Sequence, residues 1–328
     1  MKVLIIKLTS MGDLMHALPA LTEAQQNIKN ISFDWVVDKA FSSVPSWHPS
    51  VNKIITTDHR TWRKQFFSSE SRNALNKVRN EINNTQYDFV IDMQNNLKSA
   101  FISFLCKQEI TGMDARSSRE YPAHWAYSTK VNIEKSLHAV VRQKQILSSC
   151  LNYETSTQVN YGISKTNFIK PENELPKNYM VLVQNASWPS KQWSMQNWKG
   201  LVRHISNQGI NILLPSGNET EILRAKEIAS VSEKAEALEI MPLNEVAYVI
   251  DNADYCVCSD TGLAHLSAVV GTPSLTLYGP TDTSLIGTTG IDQSHLVGLN
   301  GNINSITLDT VIKEIRIATS MKSYEKLT

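Results

Sequence analysis

The sequence predicts an α/β protein made of two doubly wound parallel-sheet domains. Short aliphatic runs such as Val3–Leu8 and Tyr179–Val183 lack the alternation of a half-exposed strand, which is typical of strands buried on both faces of a parallel sheet. Helix-like stretches separate such runs in both halves of the chain. Between Tyr153 and Lys177 this alternation stops in a polar segment that contains two prolines, and afterwards it begins again.

A chain of 328 residues is long enough for two domains of about 150 residues each. We therefore expect residues 1–160 to form the first domain, 161–177 a linker, 178–308 the second domain, and 309–328 a terminal helix and tail. Two Rossmann-like halves would place a ligand-binding cleft between them.

Each predicted element follows from local hydrophobic periodicity and from glycine, proline and capping signals. In the first half the predicted strands are Val3–Leu8, Phe33–Val37, Lys53–Thr56 and Phe89–Asp92, and the predicted helices are Leu14–Gln26, interrupted at Pro19, and Ser69–Asn84. In the second half the predicted strands are Tyr179–Val183, Ile210–Leu214, Tyr255–Cys258 and Ser274–Tyr278. The predicted helices there are Trp198–Ser206, Glu219–Ser230, Glu245–Asp251, Leu263–Val270 and Asp309–Ser320.

The composition excludes several classes of protein. No run approaches the roughly 18 apolar residues of a membrane-spanning helix, and the apolar run after Lys2 fits a buried strand better than a signal peptide, so we expect a cytoplasmic protein. Residues 1–160 carry a net charge of +5 and residues 161–328 one of −4. This asymmetry favours an anionic partner for the first half but is too small for a nucleic-acid-binding protein. The four cysteines show no paired CxxC spacing, so no structural metal is predicted.

Asp13 is a candidate catalytic base. It ends the segment Thr9–Asp13 after the first predicted strand, at the sheet edge where open α/β proteins place their sites. This segment contains only Gly12, so it is not the three-glycine dinucleotide fingerprint. Asp13 could equally be a helix N-cap, whereas a carboxylate that faces a cleft could take a proton from an attacking hydroxyl. His16, one turn later, is expected to be structural.

Two loops in the second half predict an anion-binding site. Ser259–Gly262 and Tyr278–Asp282 each follow a strand, and the first directly precedes a helix whose N–H groups and dipole favour a phosphate. Asp260 or Thr261 could instead be an ordinary N-cap of that helix. His265 falls in the first turn and could face the ligand.

Two further loops could contribute to the same site. The segment Gln184–Trp193 carries Lys191, which would place a cation beside a diphosphate. The segment Pro215–Glu221 carries acids suited to ribose hydroxyls, although capping and first-turn charge explain them almost as well.

A third candidate feature is a mixture of cations and aromatic rings at Arg60–Phe67 in the first half. It is either an exposed loop with partly buried rings or a patch for a phosphorylated or acidic amphiphile at a membrane surface. Arg116 and Arg119 could extend such a patch.

Several segments match one known family. They are KLTSMGDLMHALPAL at the start, FDWVVD, PSWHPSV, WRK at 62–64, SKQW at 190–193, and SDTGLAHLSA followed by LYGPTD. Through them the chain resembles the bacterial ADP-heptose:lipopolysaccharide heptosyltransferases over nearly its whole length, and most closely those that add the first heptose.

The resemblance implies a GT-B fold, with two Rossmann-like domains that face a central cleft. It implies an inverting transfer of heptose from ADP-L-glycero-β-D-manno-heptose, held by the C-terminal domain, to a Kdo residue of Kdo2-lipid A, held by the N-terminal domain. We expect a monomer at the cytoplasmic face of the inner membrane, without a metal or another cofactor and without nucleic acid. The main alternative is a heptosyltransferase II-type enzyme whose acceptor already carries heptose.

The family's residue roles transfer to matching positions of this sequence. The resemblance implies that Asp13 is the base and that Lys191 assists the leaving group. The implied donor-binding residues are Ser187, Glu221, Met241, Asp260, Thr261, Gly262 and His265. The implied acceptor-binding residues are Arg60, Arg63, Lys64 and Arg119. One departure is Ala186-Ser187, where family members often carry paired threonines, so only one hydroxyl remains for the phosphates.

Two hypotheses from other classes remain open at this point. A nucleotide-dependent epimerase or dehydrogenase is disfavoured because the three-glycine fingerprint and a Tyr-x-x-x-Lys pair are both missing. A non-catalytic module that binds nucleotide sugars is disfavoured because the sequence carries both Asp13 and Lys191.

Overall fold

The structure, a computed structural model, describes residues 1–65 and 68–315, with Arg60 and Arg63 described by their backbone only. The chain divides into two compact units, Met1–Asn167 and Phe168–Thr328. The boundary between these units lies within the polar segment 161–177.

The first unit holds a six-stranded sheet in which every neighbouring pair of strands is parallel. Its strands are β1 (Lys2–Ile6), β2 (Ser32–Asp38), β3 (Val51–Thr57), β4 (Phe89–Asp92), β5 (Ile110–Met113) and β6 (Thr129–Val131). Its helices are α1 (Met11–Met15), α2 (Leu18–Asn27), α3 (Ser43–Ser46), α4 (His59–Lys64), α5 (Ser69–Asn83), α6 (Leu97–Ser103) and α7 (Ala139–Leu151).

The second unit repeats this architecture with another parallel sheet. Its strands are β7 (Tyr179–Val183), β8 (Asn211–Leu214), β9 (Ala235–Ala237), β10 (Tyr255–Ser259), β11 (Ser274–Tyr278) and β12 (Gln293–Val297). Its helices are α8 (Met195–Ser206), α9 (Glu219–Ala229), α10 (Leu243–Asp251), α11 (Gly262–Val270) and α12 (Thr283–Ile286), and residues 308–315 are also helical.

The two sheets have the same topology. The strand order is β3-β2-β1-β4-β5-β6 in the first unit and β12-β11-β10-β7-β8-β9 in the second, which is the Rossmann order in both. The central strands are buried on both faces, as β7 and β10 show by having every residue buried, because helices cover both faces of such a sheet. The predicted fold class of two Rossmann-like parallel-sheet domains is confirmed.

Several helices and strands differ in extent from the predicted ones. The predicted helix Leu14–Gln26 is two helices, α1 and α2, and Pro19 lies in the first turn of α2, where its missing N–H leaves no hydrogen bond unmade. Strands β5, β6, β9 and β12 are too short or too polar to stand out in the sequence. Of the predicted helix Asp309–Ser320, residues 316–320 lie outside the described residues.

Within residues 1–65 and 68–315, no helix is long and apolar enough to cross a membrane. The four cysteines are free thiols, and Cys256 and Cys258 are fully buried in β10.

Candidate active site

Asp13 lies in the first turn of α1, directly after β1. Ser10, the N-cap residue, donates its N–H and its hydroxyl to Asp13 Oδ2 at 3.0 and 3.2 Å. Arg119 Nη1 approaches the same oxygen to 3.2 Å. The interpretation of Asp13 as the N-cap is therefore wrong, because Ser10 holds that position and Asp13 accepts from it as the third helical residue. About a quarter of the Asp13 side chain (26%) stays exposed.

Two cations hold Asp13 in its ionised form. Burial acts to raise the pKa of Asp13, but Lys7, Arg119 and the Ser10 N–H outweigh burial and lower the pKa below its usual range. Lys7 is itself buried, and its ammonium group donates to the Met93 carbonyl at 3.0 Å. Burial lowers the pKa of Lys7 to about 8, against the opposing charge of Asp13. This role of Lys7 is not apparent from the sequence, where Lys7 looks like the polar end of an apolar strand.

The loop after β4 fixes the positions of both Asp13 and Arg119. Gln94 Oε1 accepts from the backbone N–H groups of Leu8 and Thr9 at 2.9 and 3.1 Å, which ties the end of β1 to β4. Asn95 accepts the Arg119 N–H on its carbonyl at 3.1 Å, and its side chain accepts from Met113 N at 2.6 Å. The contact between Arg119 and Asp13 thus depends on three loops of one sheet.

The other predicted acceptor residues lie on α4. Lys64 is exposed at its last turn, whereas Trp62 points the other way and is buried in the core of the first unit. The backbones of Arg60 and Arg63 belong to the same helix, and their side chains, like Phe66 and Phe67, lie outside the described residues. His16, predicted to be structural, is buried with its ring centre 5.7 Å from that of His138.

In the second unit three loops meet at Asp260. Lys191 Nζ lies 2.7 Å from Asp260 Oδ2, and Thr281 donates its hydroxyl to the same carboxylate. Lys191 belongs to the loop after β7, Asp260 to the loop after β10 and Thr281 to the loop after β11. These strands are neighbours in the sheet, so their carboxyl ends place a cation and a carboxylate side by side.

Asp260 and Thr261 do not cap α11 through their side chains. Asp260 is occupied by Lys191 and Thr281, and Thr261, at the N-cap position, makes no capping hydrogen bond. The Thr261 hydroxyl oxygen is buried without a hydrogen-bond partner. Gly262 opens the helix, and His265 is buried one turn further on. The first N–H groups of α11 therefore have no side-chain cap.

The remaining predicted donor residues lie on loops of the second unit. Ser187 is exposed in the loop after β7, where Gln192 donates to the Ala186 carbonyl at 2.9 Å, and Met241 is half-buried before α10. Glu221 accepts from Gly217 N and from the Asn218 amide, both at 2.9 Å. Asn218 is the N-cap of α9 and accepts from the Glu221 N–H at 3.0 Å, so Glu221 supports the capping residue and adds a negative charge to the first turn of the helix.

Sequence reasoning missed a row of buried polar side chains beneath these loops. Gln184 directly follows β7, Ser259 ends β10 and Ser216 follows β8 by one residue. The register pairs Cys258 with Val183 and Val181 with Leu213, so these three residues stand next to one another across the sheet. Both polar atoms of the Gln184 amide and both serine hydroxyls are buried without a hydrogen-bond partner.

Unpartnered buried polar groups are rare, because each costs free energy on folding. The row is therefore available to a polar ligand or to water at the carboxyl edge of the second sheet. The sequence gives no signal for it beyond the presence of polar residues after strands.

We predict that Gln184→Met raises the free energy of unfolding by about 1–3 kcal/mol, because it replaces an unpaired buried amide by an apolar group of similar shape. Gln192→Met is the matched control, since it removes an amide that is hydrogen-bonded to Ala186, and it should lower stability. Thermal and urea unfolding of both variants measures this. Destabilisation by Gln184→Met as large as that by Gln192→Met would contradict the prediction.

Among the residues that the structure describes, no group of three or more histidine, cysteine, aspartate or glutamate side chains could hold a metal ion. Charged side chains lie at the carboxyl edge of each sheet: Asp13 with Lys7 and Arg119 in the first unit, and Lys191 with Asp260 in the second.

Known proteins are similar to this chain in both sequence and fold. The lipopolysaccharide heptosyltransferase 1 of Salmonella typhimurium is 38% identical over 317 residues, which cover 96% of this chain and 100% of the relative. The lipooligosaccharide heptosyltransferase 2 of Haemophilus influenzae is only 25% identical, over 86% of this chain and 84% of its own length.

A solved structure, E. coli heptosyltransferase WaaC with ADP, matches at a TM-score of 0.91 and 37% identity, over 97% of this chain and 100% of its own. The same enzyme with ADP-2-deoxy-2-fluoro heptose matches at 0.88 and 36%, over 96% and 99% of the two chains. These matches confirm the predicted GT-B class and glycosyltransferase activity. Residues 75–313 match the model of glycosyltransferase family 9 (heptosyltransferase), and the chain belongs to this family.

Proposed function

We propose that this protein transfers a heptose from ADP-L-glycero-β-D-manno-heptose to a Kdo residue of Kdo2-lipid A, the first heptose of the lipopolysaccharide inner core. The observation that carries the proposal is the ionised Asp13, held by Lys7 and Arg119 at the carboxyl end of β1. The higher identity to a heptosyltransferase 1 than to a heptosyltransferase 2 supports the first step over the second.

The proposed donor site is the carboxyl edge of the second sheet. The uncapped N-terminus of α11 with Thr261 and Gly262 offers N–H groups and a hydroxyl to a diphosphate, and Lys191 offers a cation. Ser187, Glu221, Met241 and His265 complete the proposed set. A relative that is 36% identical has been solved with an ADP-heptose analogue, which supports this class of donor.

The proposed reaction is a single displacement. Asp13 takes the proton of an acceptor hydroxyl, whose oxygen forms a bond to the anomeric carbon of heptose as the bond from that carbon to the β-phosphate oxygen breaks. The configuration inverts, and ADP leaves with the bonding electrons. Lys191 and the N–H groups of α11 stabilise the negative charge that grows on the diphosphate.

Arg119 would make the basicity of Asp13 depend on whether the acceptor is bound. In this structure Arg119 lowers the pKa of Asp13, which keeps Asp13 ionised but also makes it a weak base. Kdo is a sugar acid, and its carboxylate is a natural partner for a guanidinium. We infer that Arg119 turns to this carboxylate when the acceptor binds, which raises the basicity of Asp13 where the reaction needs it. Arg60, Arg63 and Lys64 would bind other anionic groups of the acceptor.

The sequence Ala186-Ser187 offers one side-chain hydroxyl, that of Ser187, to a diphosphate in the loop after β7. The buried row of Gln184, Ser216 and Ser259 lies at the same sheet edge and offers further polar groups. Because the proposed acceptor is a lipid, we also propose that the protein, which we expect to be a monomer, works at the cytoplasmic face of the inner membrane.

Release of ADP from ADP-heptose with two acceptors tests the function. We expect release with Kdo2-lipid A and none with the same lipid already carrying one heptose, and Lys191→Ala, the control, should lose most of it. Release only with the second acceptor would assign the enzyme to the next step. Release with neither would overturn the proposed donor.

The pH dependence tests the role of Arg119. The pKa of Asp13 is lowered in the folded protein, so its carboxylate persists as the pH falls and is lost only below its usual range. Arg119→Gln removes one of the positive charges that lower the pKa of Asp13. The pKa of Asp13 should therefore rise, and the acidic limb of the pH profile of kcat/KM should move to higher pH. Arg116→Gln, at an exposed position nearby in sequence, should leave the limb in place. An unchanged limb in Arg119→Gln would contradict the assignment.

A further inference from the structure

One side of the first unit exposes large apolar side chains that its core does not use. They are Leu97 (53% exposed) at the start of α6, Phe104 (68%), the C-cap residue of α6 in helical conformation, and Tyr121 (63%) and Trp125 (68%) on the short 3₁₀ helix Tyr121–Ala126. Single exposed apolar residues are ordinary on protein surfaces, whereas a cluster indicates an interaction site.

These four side chains, named here the α6 patch, lie on adjoining elements. Leu97 and Phe104 are seven residues apart and therefore share one face of α6, about 10 Å apart. The Leu97 N–H donates to Glu120 Oε2 at 2.8 Å, which holds the start of α6 beside the residue before Tyr121. Tyr121 and Trp125 contact each other edge to face, with ring centres 6.5 Å apart.

The α6 patch adjoins the proposed acceptor residues. Arg119, two residues before Tyr121, forms the ion pair with Asp13. At the other end Lys98 lies near α4, because it contributes, after burial, to the lowered pKa of His59. The α6 patch therefore adjoins the ion pair of the proposed base through Glu120 and Arg119, and Lys98 next to Leu97 is close enough to α4 to act on His59.

The chain segment that carries the α6 patch is basic. Residues 97–130 contain five lysines and arginines against three acids, and Lys98, Lys107, Arg119 and Lys130 are exposed. Two of the three acids are engaged locally, since Glu120 binds the Leu97 N–H and Asp114 binds Asn132 at 2.8 Å. Exposed Trp and Tyr rings bordered by Lys and Arg match the interface of an anionic bilayer, where rings sit at headgroup level and cations meet phosphates.

We propose that the α6 patch docks the protein on the surface of a bilayer that contains anionic phospholipid. This inference rests on the proposed function, because a lipid-linked acceptor has to be reached in a membrane. Docking through this patch would bring the bilayer surface beside Arg119 and Asp13. A protein partner would be expected to bury a less basic surface, since charged residues are depleted at the cores of protein interfaces.

Sedimentation with vesicles tests the inference on the full chain. Vesicles of phosphatidylethanolamine and phosphatidylglycerol should bind the wild-type protein, and vesicles of phosphatidylcholine should bind it poorly. Phe104→Ser/Tyr121→Ser/Trp125→Ser should weaken binding to the anionic vesicles about tenfold or more, because three apolar side chains no longer enter the interface. The control Leu223→Ser/Ile291→Ser/Leu299→Ser removes three exposed apolar side chains from the second unit and should bind like the wild type.

Turnover separates this inference from the proposed function. With a deacylated, water-soluble acceptor the α6-patch variant should keep wild-type kcat and KM, which also shows that it is folded. With acceptor embedded in vesicles its kcat/KM should fall about tenfold or more, in line with the lost binding. If no acceptor supports ADP release, the proposed function fails while vesicle binding still reports on the patch.

Three results would overturn the inference. These are equal binding of the wild-type protein to both kinds of vesicle, wild-type-like vesicle binding by the α6-patch variant, and self-association of the wild-type protein in sedimentation velocity that the variant abolishes. The last result would identify the α6 patch as an interface between two copies of this chain.

Discussion

Parallel strand pairing is the constraint on which the rest of this structure depends. Every strand of a parallel sheet runs the same way, so each loop that follows a strand emerges at one edge. Asp13 and Arg119 are 106 residues apart in sequence and still form an ion pair at that edge of the first sheet. Lys191, Asp260 and Thr281 meet in the same way at the edge of the second sheet.

Eight of the twelve strands of the described residues and most of the loops at the sheet edges could be predicted from the sequence. Continuous aliphatic runs located β1, β4, β7 and β11 closely, and polar loops after strands singled out Asp13, Lys191 and Asp260. Periodicity failed for short or polar elements such as β6 and β9, which exist because neighbouring strands provide a partner to pair with. Local pattern thus gives the fold class, and tertiary pairing decides the edges of each sheet.

Contacts between side chains that are distant in sequence could not be predicted from local sequence patterns. Lys7 follows an apolar strand, so the sequence suggests an exposed lysine at the end of that strand. In the structure Lys7 is buried, and its positive charge lowers the pKa of Asp13. Arg119 was placed with the cations of α4, and only the fold shows that it contacts Asp13. The row of Gln184, Ser216 and Ser259 depends on the register of three strands, which no local motif specifies.

We propose that Asp13 acts as the base, and the Asp13→Asn variant separates this role from a structural one. We would measure the affinity for ADP by calorimetry and kcat for heptose transfer on the same preparation. The account predicts an affinity like that of the wild type and a kcat lower by about a thousandfold, because the amide keeps the hydrogen bond from the Ser10 N–H but cannot take a proton. A kcat within a few-fold of the wild type would contradict the account and leave Asp13 as a structural residue at the start of α1.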